Sequence, residues 1–224
     1  MAFTFFFRDI QILELVIHYL LPGSIGRSSI RIWDAGCAMG QETYSLAILL
    51  AESLGRFSFR NVRIHATDIE ENPLFGETVR SGIYNEEDLK RIPEGLLATY
   101  FRPFDGGLQF QAIGPLREKI TYAKHDLLSL KPVGTNFSAI LCKNVLLHFR
   151  AEDRVEVIRM FHGSLAPGGF LAMEQTQKMP AEMEGGFRRV APNGQIFQKM
   201  PVTAEPNREH NCVRTAEVRG ERIC

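Results

Sequence analysis

At 224 residues, with 45% hydrophobic and 23% charged side chains, the chain can bury one sizeable core and has an ordinary globular composition, which excludes disordered and collagen-like classes. Lys plus Arg and Asp plus Glu both number 26, a formal net charge of zero. No whole-molecule field therefore gathers nucleic acid or anionic lipid, and a charged partner has to be met by a local patch. No apolar run reaches the roughly 18 to 20 residues that span a bilayer. The nearest, Ile10 to Leu21, is broken by Gln11, Glu14 and His18 and lacks a basic lead-in and a cleavage site, so neither membrane insertion nor a signal peptide is expected. Cys37, Cys142, Cys212 and Cys224 form no C-x-x-C pair, which reads as reduced thiols in a cytoplasmic protein.

From Asp9, a candidate helix cap, Ile10, Leu13, Ile17, Leu20 and Leu21 recur at helical spacing until Pro22-Gly23. Ile30 to Trp33 reads as a short strand ending in the turn Asp34 to Gly40, with a helix over Thr43 to Leu54. Asn61 to Asp68 alternates like a second strand, and Pro73 to Ser81 suits a helix closed by Gly82. This βαβα pattern implies a mixed, mostly parallel sheet with right-handed crossovers and helices on both faces, a Rossmann-like α/β fold.

After a polar, helical-looking linker from Tyr84 to Phe101, Leu108 to Ile113 and Lys119 to Lys124 are two β-prone runs around a Gly-Pro turn. They are predicted to pair as a hairpin within a small β-subdomain of about residues 101–124. Phe137 to Cys142 reads as a strand, Glu152 to Leu165 as an amphipathic helix stopped by Pro167-Gly-Gly169, and Gly169 to Gln175 as a further strand. Phe187 to Val190 and Gln195 to Lys199 flank Ala-Pro-Asn-Gly, a strong signal for a terminal antiparallel ribbon. One main domain over 1–200 is expected, with 201–224 as a weakly ordered polar tail.

A glycine-rich turn after a first strand lets the backbone approach a ligand, and the next helix offers its N-terminal N–H groups. Asp34-x-Gly36-x-x-x-Gly40 fits that device. Asp68, ending the second strand, is placed to accept from both ribose hydroxyls of an adenine nucleotide, or to cap the next helix. Asp126, in Lys124-His-Asp-Leu-Leu128, stands where it can accept the exocyclic amine of adenine or cap a turn. Acids or glycines at three strand ends line the edge where open α/β sheets bind their ligands.

These residues resemble a known family. Thr4-Phe-Phe-Phe-Arg-Asp9 is similar to the T-x-F-F-R opening of CheR-type protein glutamate methyltransferases, and Ile32 to Ala47 is similar to their cofactor loop. Ala66-Thr-Asp-Ile69, Gly82-x-Tyr84, Tyr100-Phe101, Cys142 to Phe149 and Leu165 to Phe170 extend the likeness in order over about residues 4 to 200. The resemblance implies a class I fold that binds S-adenosylmethionine (SAM) and methylates glutamate side chains of bacterial chemoreceptors, with S-adenosylhomocysteine (SAH) as coproduct. It implies cofactor contacts from Thr4, Arg8, Asp34, Gly36, Gly40, Glu42, Asp68, Asp126, Leu127 and Asn144. Arg8 and His148 would serve the reaction centre by orienting the acceptor carboxylate.

The sequence departs from the family pattern at Lys143, where an arginine is usual, at His148 for tyrosine, at Asp126 for asparagine and at Gln41-Glu42-Thr43 for Glu-Glu-Pro. The altered positions crowd the methyl-transfer side, and lysine does not replace a bidentate arginine. Lys143 reads otherwise as a solvated strand-end charge, His148 as a histidine packed beside Phe149, and Cys37 and Cys142 as small buried fillers. Only Arg102 to Gly107 separates Phe101 from Leu108, so docking of a receptor's C-terminal peptide on the small subdomain is not expected. A carboxylate acceptor is already ionised at pH 7 and needs no general base. The absence of a Ser-His-Asp order, a nucleophile elbow and a zinc motif agrees with that, and no metal is expected. Three other functions stay open: a nicotinamide-dependent oxidoreductase, whose tight G-x-G-x-x-G is missing, a non-catalytic SAM-binding signalling module, and a methyltransferase with another protein or small-molecule acceptor.

Overall fold

The computed structural model describes residues 4–24, 26–69 and 72–201; the tail expected from 201 onward lies outside them but for its first residue. Helix α1 (Ile10–Leu20) buries Ile12, Leu13, Val16, Ile17 and Leu20. It leads to β1 (Ile30–Ala35) and to α2 (Gln41–Phe59), whose helical geometry breaks at Gly55. There follow β2 (Val62–Asp68), α3 (Leu74–Ser81), β3 (Ile83–Asn85), α4 (Glu86–Leu89), α5 (Glu94–Tyr100), β4 (Phe101–Phe104), β5 (Gln109–Ala112), α6 (Gly114–Arg117) and β6 (Ile120–Lys124). The second half holds β7 (Phe137–Cys142), α7 (Ala151–Ser164), β8 (Leu165–Met173), β9 (Phe187–Arg189) and β10 (Gln195–Lys199).

Seven strands form one sheet in the order β6-β2-β1-β7-β8-β10-β9. The first five are mutually parallel, and β10 runs antiparallel between β8 and β9, as the terminal ribbon predicts. Strand order reverses between β1 and β7, which makes their carboxyl ends the place for a ligand. Side chains alternate across the sheet. Ile32, Ala139, Leu141, Ala172 and Ile196 pack in the core that holds α1 and α2, whereas Trp33, Ala35, Ile140, Leu171, Met173 and Phe197 pack with Val157, Ile158 and Phe161 of α7. No helix among the described residues is long and apolar enough to cross a membrane.

Two expectations change. A small three-stranded antiparallel sheet does form, in the order β3-β5-β4, so the hairpin joins β4 to β5 and lies within Ile83–Ala112. The run Lys119 to Lys124 is not its second arm, because α6 carries the chain away with Leu116 buried, and β6 becomes the parallel edge strand beside β2. Asp9 stands at the start of α1 but makes no side-chain cap; its left-handed backbone, φ 48°, goes with a carboxylate 3.6 Å from Lys143 Nζ.

Burial also decides the state of Asp34, next to last in β1, which accepts the Thr43 hydroxyl at 2.5 Å. Removal from water, with the Glu42 carboxylate adding to it, pushes the Asp34 pKa up to about 8. An acid whose folded pKa exceeds its unfolded value of about 3.9 binds an extra proton when folded. Its contribution is fully present below the unfolded pKa and is lost as pH rises through 8. Stability from urea unfolding should therefore fall between pH 6 and 8 by up to about 1.4 kcal/mol per pH unit, and Asp34→Asn should flatten the slope. An unchanged slope in that variant contradicts the assignment.

Candidate functional site

A cleft of about 760 Å³ opens at the carboxyl ends of β1, β2, β6 and β7, a size that suits a small-molecule cofactor. Its first wall is the turn after β1. Gly36, at φ +96°, packs so closely that an added Cβ would lie 2.2 Å from Val145 Cγ2, so only glycine fits both the backbone and the space. The N–H groups of Gly36 and Cys37 donate to Thr67 O at 2.7 and 3.0 Å, that of Gly40 to Cys37 O at 2.9 Å, and that of Ala38 to Asp68 Oδ2 at 2.9 Å. These donors, which a pyrophosphate would require, are spent inside the protein. With these four donors bonded within the protein, the turn stands as a wall of the cleft.

Nine of the sequence-predicted residues line this one cleft: Thr4, Arg8, Gly36, Glu42, Asp68, Asp126, Leu127, Asn144 and His148. Asp34 and Gly40 do not. Asp34 lies beneath the wall on Thr43, and Gly40 starts α2 in a left-handed conformation with an added Cβ only 2.9 Å from Val79 Cγ2. Both hold the site from behind. Asp126 caps its turn, Oδ1 accepting the Leu128 N–H at 2.8 Å, and the residue lines the cleft. His148 sits exposed on the short turn Leu146–His148.

Lys143 is no solvated charge. Its side chain is 1% exposed and its Nζ lies 2.6 Å from Glu42 Oε2, whose side chain is 12% exposed. Burial pushes the Glu42 carboxyl up and the neighbouring ammonium pulls it back. Nζ also lies 3.4 Å from the Arg8 carbonyl oxygen, so one buried cation joins the β7 end to α2 and to the N-terminal segment. Breaking such a pair by removing one partner leaves a buried charge uncompensated. Cys37 and Cys142 are free and buried, with thiols pushed well above their usual range by loss of water.

Sequence reasoning missed Glu174. It follows β8 at 5% exposure, and its Oε2 accepts the Asn144 N–H at 3.0 Å. Asn144 is left-handed, φ 59°, a conformation that asparagine adopts more readily than other non-glycine residues. Glu174 thus fixes the turn that carries Asn144 into the cleft and Val145 onto Gly36. Its Oε1 is buried without a hydrogen-bond partner in the structure. The signal was present, an acid at the end of an apolar strand, the pattern that singled out Asp68.

Carboxyl groups from Glu42, Asp68 and Asp126 and cations from Arg8 and Lys143 share the lining. Because Lys143 is neutralised by Glu42, the cleft keeps acidic groups for a cationic ligand such as a sulfonium nucleoside. The family described as "CheR methyltransferase, SAM binding domain" matches residues 2–193. An uncharacterized 104.1 kDa protein of Rhodobacter capsulatus is 30% identical over 91% of this chain and 21% of its own length. A probable chemotaxis protein methyltransferase of Rhizobium etli is 27% identical over 84% of this chain and 72% of its length, and chemotaxis protein methyltransferase 1 of Pseudomonas aeruginosa is 32% identical over 79% and 66%. The chain thus spans from about a fifth to seven tenths of the curated relatives it matches. With the strand order, the glycine wall and the family match in agreement, the chain belongs to the CheR methyltransferase family and carries its SAM-binding domain.

Proposed function

We propose that this domain transfers the methyl group of SAM to a glutamate carboxylate of a protein acceptor, a chemoreceptor cytoplasmic region, and that it does so in the cytoplasm. The observation that carries the proposal is the convergence of Thr4, Arg8, Glu42, Asp68, Asn144 and His148 on one cleft whose turn donors are already spent. The chemotaxis methyltransferases among the relatives support the acceptor class.

The cofactor supplies an electrophilic methyl on a sulfonium; attack by a carboxylate oxygen forms the ester C–O bond as the C–S bond breaks and its electron pair returns to sulfur. No proton has to move, so the protein's task is placement. Asp68, at the end of β2 and in the lining of the cleft, would hold the sugar hydroxyls. Asp126 and Leu127 border the adenine, while Gly36 and Asn144 border the methionine portion. Arg8 orients the incoming carboxylate, and His148 gives a second donor from the rim. Lys143, paired with Glu42, does not compete for that carboxylate. The β4–β5 connection is only Asp105–Gly107 plus Leu108, which supports a receptor contact without a tethered C-terminal peptide. A different acceptor is the second reading, favoured by one observation: the buried carboxyl of Glu174 lies directly behind Asn144 and would oppose a second carboxylate.

Methyl transfer from radiolabelled SAM to receptor cytoplasmic fragments should give base-labile counts, the mark of an ester; base-stable counts point to nitrogen or ether products and overturn the glutamate assignment. Arg8→Ala should lower that turnover about tenfold to a hundredfold, the loss of an orienting charged hydrogen bond of about 1.5–3 kcal/mol. Full turnover in Arg8→Ala removes this role. Glu174→Ala should lower kcat about tenfold and weaken SAH binding as well, and Glu174→Gln, which keeps an acceptor for the Asn144 N–H, should recover most of both. Equal losses in both variants contradict the positioning role.

A further inference from the structure

The opposite end of the sheet carries a second cleft, also of about 760 Å³, that methyl transfer leaves unused. It lies among the end of α1, the turn that follows, the Pro167–Gly169 bend within β8 and the β9–β10 ribbon. Among the described residues its lining contains His18, Arg27, Arg188 and Arg189 and no Asp or Glu. In a chain with 26 acidic and 26 basic residues, such segregation is a local positive field. The cofactor cleft, by contrast, mixes both signs.

Two of the cations, Arg188 and Arg189, are held in place by neutral partners. Among the described residues none of the three arginines makes an ion pair. Arg188 donates to Gln198 Oε1 at 2.7 Å, and Gln198 Nε2 donates to Gly168 O at 3.2 Å. Arg189 donates to Gly194 O and Pro192 O, each at 3.1 Å. Neutral acceptors fix the Arg188 and Arg189 side chains and leave their charge for a ligand, which lowers the ordering cost of binding. Of the carbonyls at the end of α1, which oppose an anion, Ile17 O accepts the Leu21 N–H at 2.9 Å and Leu20 O the Ser24 hydroxyl at 2.8 Å. Tyr19 and Phe170, with ring centroids 6.2 Å apart, add an aromatic wall.

We propose that this cleft is a second binding site, for a phosphorylated small molecule bearing a flat ring, of the mononucleotide class. Guanidinium forks match phosphoryl oxygens, and the aromatic wall takes the ring. The site is separate from the cofactor cleft and does not depend on which acceptor is methylated.

Equilibrium dialysis of the whole chain, with SAH present in saturating amount to fill the cofactor cleft, tests it with uridine monophosphate, inorganic phosphate and uridine. Saturable binding of uridine monophosphate, weaker binding of phosphate and none of uridine are expected. Arg27→Glu and Arg188→Gln should each weaken uridine monophosphate at least about tenfold while SAH affinity stays at the wild-type value, which shows the variants folded. Absence of saturable binding, binding insensitive to both substitutions, or retention only by phosphatidylglycerol vesicles overturns the proposal.

Discussion

The site depends on one close approach, the packing of Gly36 against Val145. Where the ends of β1 and β7 meet, the space beside Gly36 is too small for any Cβ, and its φ is one that other residues avoid. Everything that shapes the cleft is tied to that contact. Thr67 O gathers the N–H groups of Gly36 and Cys37, Asp68 takes that of Ala38, and Glu174 holds Asn144 in the conformation that delivers Val145. The wall is thus shaped by contacts within the protein, and placement chemistry needs such a preset surface.

Electrostatics then separates this site from a dinucleotide site on the same kind of sheet. A dinucleotide site spends backbone N–H groups on phosphate. Here those groups are spent on Thr67 and Asp68, and the acids that remain face a ligand whose charge is positive. The Glu42–Lys143 pair gives the same result from the other side, because a lone buried lysine beside the acceptor would quench the nucleophile, whereas a paired one joins three segments without net charge.

Much of this was legible in the sequence because it rests on local rules. The glycine turn, the strand-end acids and the Ala-Pro-Asn-Gly ribbon are written in short stretches whose backbone needs are specific. Strand pairing is not local, and that is where reading failed: Lys119 to Lys124 looks like a hairpin arm until α6 and the vacant edge of β2 claim it. Asp34 and Gly40 carry the right residue types for ligand contact, yet the turn folds them underneath, a matter of depth that spacing does not encode. Lys143 looked like a surface charge because its partner, Glu42, lies 101 residues away in sequence. Glu174 was overlooked although its strand end follows the rule that found Asp68.

The most direct measurement is a crystal structure of the chain soaked with SAH. The account expects the nucleoside to lie across the carboxyl ends of β1 and β2, its ribose hydroxyls on Asp68 and its amino acid portion against Gly36. Density elsewhere, or an empty cleft at saturating ligand, would contradict it.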